Sequence, residues 1–314
     1  MKKNLIRIFI FVIPLVIAFV YIEYKLFKIP NSYSKKRFYL ERNLEHIEVL
    51  CLGTSQILYG INPESLSHKT YNLGYLSQTL YYDKNILRKY IDKMPKLKVV
   101  FICVSYPTFF ACNESNKIEE WRYYFYLHFW GIKLKDFPIA DARRYSLLTL
   151  YTPEKTVDFM KKGFNVNLAE TVDTNGYSRM DTTNDIKNIS DSLGKVRVQL
   201  YNNMAGTTKE IKSIVTDFEE ILLELKKKNI NAVVITMPVY HTYYDNCLPQ
   251  YLELNKKIIN YMQNKYNFKY FNYFYDNRFF INDFLDNDHL NFIGATKMCK
   301  IIDSEIITPI YDMK

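Results

Sequence analysis

Three side chains that lie far apart in the sequence could together perform acyl chemistry. Ser55 closely follows the apolar run 47–52, while Asp286 and His289 follow the aromatic run 268–274. A serine nucleophile needs a base that takes its proton and a carboxylate that orients the base. An aspartate three residues before a histidine can meet Nδ1 across a tight turn and leave Nε2 facing the serine. The sequence therefore predicts a catalytic triad of Ser55, His289 and Asp286.

Acyl transfer through a serine also needs hydrogen-bond donors for the oxyanion. The backbone N–H of Ser55 is one candidate, because it would lie at the turn between a strand and a helix. Gly74 ends the short run 71–73, and a residue without Cβ lets its N–H approach a ligand closely. We predict that the N–H groups of Ser55 and Gly74 bind the oxyanion. Asn72 fits a structural role and a substrate-binding role equally well.

Alternating strands and amphipathic helices must position these residues. The apolar runs that predict strands are 47–52, 71–73, 97–104, 230–237 and 268–274. Helices are predicted over 80–94, from the Thr207/Glu210 capping box to Asn229, over 251–262 and over 295–307. Continuous apolar strands separated by such helices indicate a mostly parallel sheet covered on both faces. Ligands of these sheets bind at the carboxyl ends of the strands, where the candidate residues fall.

One long segment, 112–206, interrupts this alternation. It is aromatic over 121–130 and polar over 173–188. We interpret it as an insertion that lies over one edge of the sheet and not as an independent domain. The predicted organisation is thus a membrane anchor at 1–29 and one α/β domain at 30–314.

The N-terminus carries an apolar segment long enough to cross a membrane. The run Ile8–Ile22 contains no charged residue, and a helix over 5–26 would span a hydrocarbon core of about 30 Å. The positive flank of Lys2, Lys3 and Arg7 favours a cytoplasmic N-terminus, with the rest of the chain outside. A cleaved signal peptide and a buried core helix are the alternatives. Cleavage is disfavoured because no A-x-A-like site follows the run.

Composition excludes some classes of function. The 314 residues carry a net charge of +9, but the lysines are spread along the chain and form no basic stripe typical of nucleic-acid binding. The five cysteines show no CxxC pair and no metal-like spacing with histidine, although a disulfide between Cys112 and Cys247 stays open. We therefore predict no metal, no cofactor and no nucleic-acid partner.

Three sequence blocks resemble the SGNH/GDSL hydrolase superfamily. They are VLCLGTSQ (49–56), NLG (72–74) and DNDHLN (286–291), in the superfamily's order and each next to a predicted strand. The resemblance covers about 46–110 and 207–307, and it implies a three-layer α/β/α, flavodoxin-like domain. The anchored N-terminus, the GTS variant and the DHLN ending look most like the extracytoplasmic acyl-transfer branch. That branch includes the D-alanyl transfer protein of teichoic acids and the alginate O-acetylation proteins.

The superfamily's third block, G-x-N-D, has no counterpart here. The place after the third strand reads VSYPT (104–108), without asparagine. Ser105 could supply the missing oxyanion donor, or the site could use backbone donors only. In the similar branch a segment like 238–244 borders the site, so His241 and Tyr244 are predicted to contact substrate.

The resemblance also implies a function. It implies a membrane-anchored extracytoplasmic O-acyltransferase, in the first instance an O-acetyltransferase, that modifies a cell-surface polysaccharide through an acyl-Ser55 intermediate. A polytopic membrane acyltransferase would be the acyl donor, and a cell-surface glycan would be the acceptor. Two alternatives stay open. One is an SGNH esterase or deacylase that uses water as acceptor, and the other is a non-catalytic anchored binding or assembly protein with the same fold.

Overall fold

The structure is a computed structural model that describes residues 2–112, 120–133, 135, 137–169, 172–181 and 189–312. Part of the predicted polar stretch, 182–188, lies outside these residues. Contacts divide the chain into two compact units, one of residues 1–35 with 121–170 and one of residues 36–120 with 171–314. The predicted anchor boundary at residue 29 and the insertion at 112–206 stay predictions.

The second unit contains a parallel sheet of five strands. These are β1 (Val49–Leu52), β2 (Thr70–Asn72), β3 (Val99–Cys103), β4 (Asn231–Thr236) and β5 (Lys269–Asn272). The strand order is β2-β1-β3-β4-β5, with every neighbouring pair parallel. This is the flavodoxin-like order, whose direction of winding reverses between β1 and β3.

The central strands are apolar on both faces. In register, Cys51 lies beside Phe101, and Phe101 lies beside Val233; all three are fully buried. Their sequence neighbours Leu50 and Val100, which point to the opposite face, are fully buried as well. A strand without a polar face is stable only where other elements cover both sides of the sheet.

Helices of the second unit supply that cover. Over both units, the helices of the described residues are α1 (Lys2–Lys28), α2 (Ser32–Asn43), α3 (Ser55–Gly60), α4 (Leu80–Tyr90), α5 (Trp121–Phe125), α6 (Leu147–Leu150), α7 (Pro153–Lys161), α8 (Asp191–Asn202), α9 (Thr208–Lys227), α10 (His241–Tyr244), α11 (Pro249–Tyr266), α12 (Phe292–Ile302) and α13 (Thr308–Asp312). Helix α9 begins at the predicted capping box. The Thr207 N–H donates to Glu210 Oε2 at 2.7 Å, and the Thr207 hydroxyl accepts the Glu210 N–H at 3.4 Å.

Helices of the second unit form one layer on each face of the sheet. The chain runs from β1 outward to β2 and then back across β1 to β3. Right-handed crossovers consequently place α3 on one face and α4, α9 and α11 on the other. Helix α12 packs against α3, and both α4 and α11 pack against α9. The second unit is a three-layer α/β/α domain, which confirms the predicted fold class.

The first unit combines α1 with residues 121–169. The Glu23 carboxylate on α1 accepts the first two backbone N–H groups of α6, at 3.0 Å each. The ring of Phe27 stacks on Phe129, with 5.4 Å between the centroids. Part of the segment that the sequence presents as an insertion therefore packs with the N-terminal helix.

Helix α1 is apolar and exposed along most of its length. The segment Ile10–Lys28 has a mean hydropathy of 2.0, and Phe11 and Ile17 are 71% and 63% exposed. A single N-terminal helix of this kind could be a membrane anchor or a signal sequence. The predicted single-pass anchor and its orientation stay predictions, and the side chains of Lys2 and Lys3 lie outside the described residues.

Candidate active site

The structure brings Ser55, His289 and Asp286 together. The distance from Ser55 Oγ to His289 Nε2 is 2.7 Å, and His289 Nδ1 lies 2.9 Å from both carboxylate oxygens of Asp286. These are hydrogen-bond distances, so the three side chains form one continuous chain of hydrogen bonds. Ser55 and His289 are 234 positions apart in the sequence, and the fold alone makes them neighbours.

A tight turn after β1 presents Ser55. The turn uses Gly53, whose φ of +141° disfavours other residues and whose position leaves no room for a Cβ, which would lie 2.5 Å from Cys103 Cβ. The Thr54 hydroxyl then caps α3 by accepting the Gln56 N–H at 3.4 Å. As the first residue of α3, Ser55 has an N–H with no partner inside the helix.

A second local turn presents His289. One carboxylate oxygen of Asp286, Oδ1, accepts the backbone N–H groups of Asp288 at 3.0 Å and His289 at 2.9 Å. The Asn291 side chain then caps α12 by accepting the N–H groups of Ile293 and Gly294, at 2.9 and 3.0 Å. Asp286 thus closes the turn within the DNDHLN block, and Asn291 fixes the start of the helix that follows, because both side chains bind nearby backbone.

The electrostatics of this turn favour a basic imidazole. Burial alone would lower the pKa of His289, but the carboxylates of Asp288 and Asp286 together raise it above its ordinary value. Burial alone would likewise raise the pKa of Asp286, but His289 and then Arg197 hold it well below the usual range. Asp286 is therefore a carboxylate, which can orient the imidazole and stabilise its charged form.

Sequence reasoning missed both Arg197 and Asp288. Asp288 is 3% exposed, and its Oδ1 lies 3.5 Å from His289 Nδ1. Arg197 Nη2 donates a hydrogen bond to Asp286 Oδ2 at 3.2 Å. Arg197 Nε lies 3.1 Å from Asp288 Oδ1, an ion-pair contact that lacks hydrogen-bond alignment. Two carboxylates and an imidazole so close together could hold a cation. Here the guanidinium of Arg197 takes that place.

Close packing of α8 brings Arg197 to the site. A Cβ on Gly194 would lie 1.9 Å from the carbonyl oxygen of Thr242, so only glycine lets α8 approach this closely. The Asn287 amide also binds this helix, donating to the Ser190 carbonyl at 3.0 Å. No motif surrounds Arg197 in the sequence, and it differs from other arginines only through this tertiary contact.

A small cavity of about 40 Å³ lies beside Ser55. Ser105 borders it, and the Ser105 hydroxyl lies 3.0 Å from Thr108 Oγ1; its role as an oxyanion donor stays a prediction. Ser77, which the sequence gave no reason to select, also borders the cavity and has a φ of +52°. Left-handed backbone is uncommon for serine and often occurs at functional sites.

Gly74 and Asn72 do not serve as predicted. The Gly74 N–H donates to Asn72 Oδ1 at 2.9 Å, so it is already used within the turn. Asn72 is fully buried, and its amide donates to the carbonyls of Ile57 and Ile61 at 2.7 Å each. These two residues attach β2 to α3, so the assignments of Gly74 to the oxyanion and of Asn72 to substrate are corrected.

A buried lysine and a buried aspartate support the turns beneath the site. Lys36 Nζ donates to the carbonyls of Gly74 and Asn72, the latter at 3.0 Å. Asp83 Oδ1 accepts the Gly53 N–H at 3.1 Å. Burial lowers the pKa of Lys36 to about 7 and raises the pKa of Asp83 to about 7. Both side chains bind backbone groups and neither reaches the cavity.

His241 and Tyr244 also lie away from this cavity. His241 is exposed on α10, with Nδ1 3.3 Å from Asp245 Oδ2, and Tyr244 packs edge-on against Tyr275 at 4.8 Å. Their neighbour Tyr243 borders the cavity instead. The predicted segment thus reaches the site through a different residue, because a one-turn helix selects which side chain points inward.

Two solved structures are similar to this chain at low sequence identity. One, from Streptococcus pneumoniae, is provisionally described as a platelet activating factor, with a TM-score of 0.42 and 10% identity over 94% of this chain and 97% of that chain. The other, from Bacteroides fragilis, is provisionally described as an acylhydrolase, with a TM-score of 0.44 and 11% identity over 87% and 96%. No protein-family model matches the sequence, and no curated protein is a significant match. Since both TM-scores are below 0.5, we base the functional proposal on the site itself.

Proposed function

We propose that this protein is a serine-dependent acyl-transfer enzyme in which Ser55 is the nucleophile. The observation that carries this proposal is the 2.7 Å contact between Ser55 Oγ and His289 Nε2, with Asp286 on the opposite ring nitrogen. The strand order supports the proposal further. Ser55 follows β1 and Ser105 follows β3, and ligands of such sheets bind between the two strands where the direction of winding reverses.

The proposed reaction has two halves, the acylation of Ser55 and the transfer of the acyl group to the acceptor, and His289 moves a proton in both. Ser55 Oγ attacks the acyl carbonyl carbon while His289 Nε2 takes the hydroxyl proton, and Asp286 stabilises the imidazolium. The oxyanion lies in the small cavity, where the Ser55 N–H binds it beside Ser77 and Ser105. The donor's leaving group departs with the proton from His289, which leaves an acyl ester on Ser55. His289 then takes the proton of the acceptor hydroxyl as the acceptor oxygen attacks this ester, and it returns the proton to Ser55 Oγ as the acyl–Oγ bond breaks.

The acyl group that we propose is short, in the first instance acetyl. The cavity beside Ser55 has a volume of only about 40 Å³, which favours a short acyl group over a long acyl chain. With the resemblance to the acyl-transfer branch, this supports an O-acetyltransferase acting on a cell-surface polysaccharide. A polytopic membrane acyltransferase would supply the acyl group.

Ser55 labelling tests the catalytic proposal. The full chain in detergent or nanodiscs is treated with a fluorophosphonate, which reacts with activated serines, and the modified peptide is identified by mass spectrometry. We expect labelling at Ser55 that is lost in Ser55→Ala and retained in Ser67→Ala, a serine outside the site. If wild type is not labelled at Ser55, the non-catalytic alternative is favoured instead. If labelling holds, incubation with an acetyl donor and glycan separates ester formation on the glycan from release of free acetate, the esterase outcome.

We also propose that residues 5–26 anchor the chain in the cell membrane, with the N-terminus cytoplasmic and the catalytic unit outside. The exposed apolar surface of α1 supports this, since such a surface is unfavourable in water. We expect the chain to stay with membranes after alkaline extraction and to keep its N-terminal residues in an intact-mass measurement. A mature chain that begins after residue 22 would identify a cleaved signal sequence. Protease added outside intact cells should digest the catalytic unit.

A further inference from the structure

A second and larger cavity lies at the carboxyl edge of the sheet. It has a volume of about 310 Å³ and lies between the ends of β3, β4 and β5 and helix α11. This volume is at the lower end of the range of about 300–1,000 Å³ typical of small-molecule sites. We propose that it binds one sugar unit of the acceptor, an inference that rests on the proposed acyl transfer to a glycan.

The two cavities share a wall. Ser105 borders both of them, while the following Tyr106 borders the larger cavity and Pro107 the smaller one. The segment after β3 therefore lies between the larger cavity and the small cavity beside Ser55. A polymer that places one unit in the larger cavity can present a hydroxyl of a neighbouring unit to the acyl-serine.

Asn255 fixes the segment that the two cavities share. Its amide nitrogen donates to the carbonyls of Tyr106 at 2.9 Å and Ser105 at 3.4 Å, which fixes the orientation of the amide. Asn255 is 8% exposed, and its Oδ1 is closed to solvent. These hydrogen bonds hold the start of the segment after β3 against α11, so this part of the cavity wall is formed before a ligand binds.

The remaining lining selects a neutral hydroxyl compound. No carboxylate is among the described residues that border the cavity, and Lys256 is the charged one, so a cationic donor gains no partner. Thr236 Oγ1 and Tyr270 OH, 3.0 Å apart, offer a hydroxyl pair for further hydrogen bonds. Phe274 and Tyr275 add flat apolar rings. A sugar ring matches this combination, because it has hydroxyls at its edge and an apolar C–H face.

Glycoside binding tests the inference without any turnover. Methyl glucoside and methyl N-acetylglucosaminide are added to the full chain in lipid nanodiscs, and binding is measured by saturation-transfer NMR. Tyr270→Phe removes one hydroxyl of the Thr236–Tyr270 pair, and Asn260→Trp fills the cavity from an exposed position on α11, which keeps the test valid if the first variant misfolds. Asn264→Leu is the matched control, since Asn264 is exposed on the same helix outside the cavity lining.

We expect at least one glycoside to bind wild type and Asn264→Leu, and binding to weaken by about tenfold or more in both cavity variants. Failure of both glycosides to bind wild type, or equal binding to the cavity variants, would overturn the inference. Displacement of the glycoside by octanoate would assign the cavity to an acyl chain instead. A chain that binds glycoside but is not labelled at Ser55 would contradict the acyl-transfer proposal and leave a glycan-binding site.

Discussion

Replacing His289 by glutamine should lower the rate of acyl transfer by about 10⁴-fold or more, because the serine loses its base and the leaving group loses its acid. Fluorophosphonate labelling of Ser55 should fall with it. The fold should survive, since Asp286 still accepts the backbone N–H groups at 288 and 289 that set this turn. Transfer rates and thermal unfolding of the same preparations measure the two effects separately.

His46→Gln is the matched control for this change. His46 is exposed, so its replacement should leave both the rate and the midpoint of unfolding at their wild-type values. In wild type, kcat/KM should fall as the pH drops through the raised pKa of His289, because the base works only when neutral. If His289→Gln kept about a tenth of the wild-type rate, a role as general base would be excluded.

Local chemistry made much of the fold and the centre of the site predictable. The strands were found from apolar runs, although β1 begins at Val49 and β3 spans Val99–Cys103, somewhat shorter than the runs that predicted them. Hydrophobic periodicity marks a strand but not where its ladder ends. Asp286 and His289 were predictable together because their turn is closed by hydrogen bonds within four consecutive residues.

The predictions that failed depend on how separate segments pack. Gly74 looked like an oxyanion donor because glycine permits close approach, but the approaching group is the α3 helix, whose Ile57 Cβ would lie 2.7 Å from a Cβ at 74. Tyr243 and not Tyr244 borders the cavity because of the rotation of a four-residue helix. The position of Arg197 depends on the close contact of Gly194 with Thr242, and these two residues belong to segments that share no sequence motif. Such contacts need coordinates, since the residue types alone permit many partners.

Replacing Arg197 by glutamine should lower activity and move the acid limb of the pH profile to higher pH. Burial lowers the pKa of His289, and the carboxylates of Asp288 and Asp286 raise it. The positive charge of Arg197 also lowers it, against the effect of the two carboxylates. Without that charge the pKa of His289 rises further. The imidazole is then protonated at pH values where it was neutral, so more base is lost as the pH falls.

The same substitution should also cost stability, because the buried carboxylate of Asp288 loses its counter-ion. We expect a loss of about 1–3 kcal/mol in the free energy of unfolding, below that of a fully buried pair because the Arg197 side chain keeps 36% exposure. Lys162→Gln is the control. Its ion pair with Asp158 is exposed on both sides, so its loss should cost under about 1 kcal/mol and leave the pH profile unchanged.

Arg197→Lys separates a charge effect from loss of packing. A lysine keeps the positive charge near the two carboxylates but cannot contact both with the planar fork of a guanidinium. The acid limb should therefore return toward its wild-type pH while the rate stays below wild type. If Arg197→Gln lowered the rate and stability but left the acid limb unmoved, Arg197 would only support packing, and the basicity of His289 would depend on Asp286 and Asp288 alone.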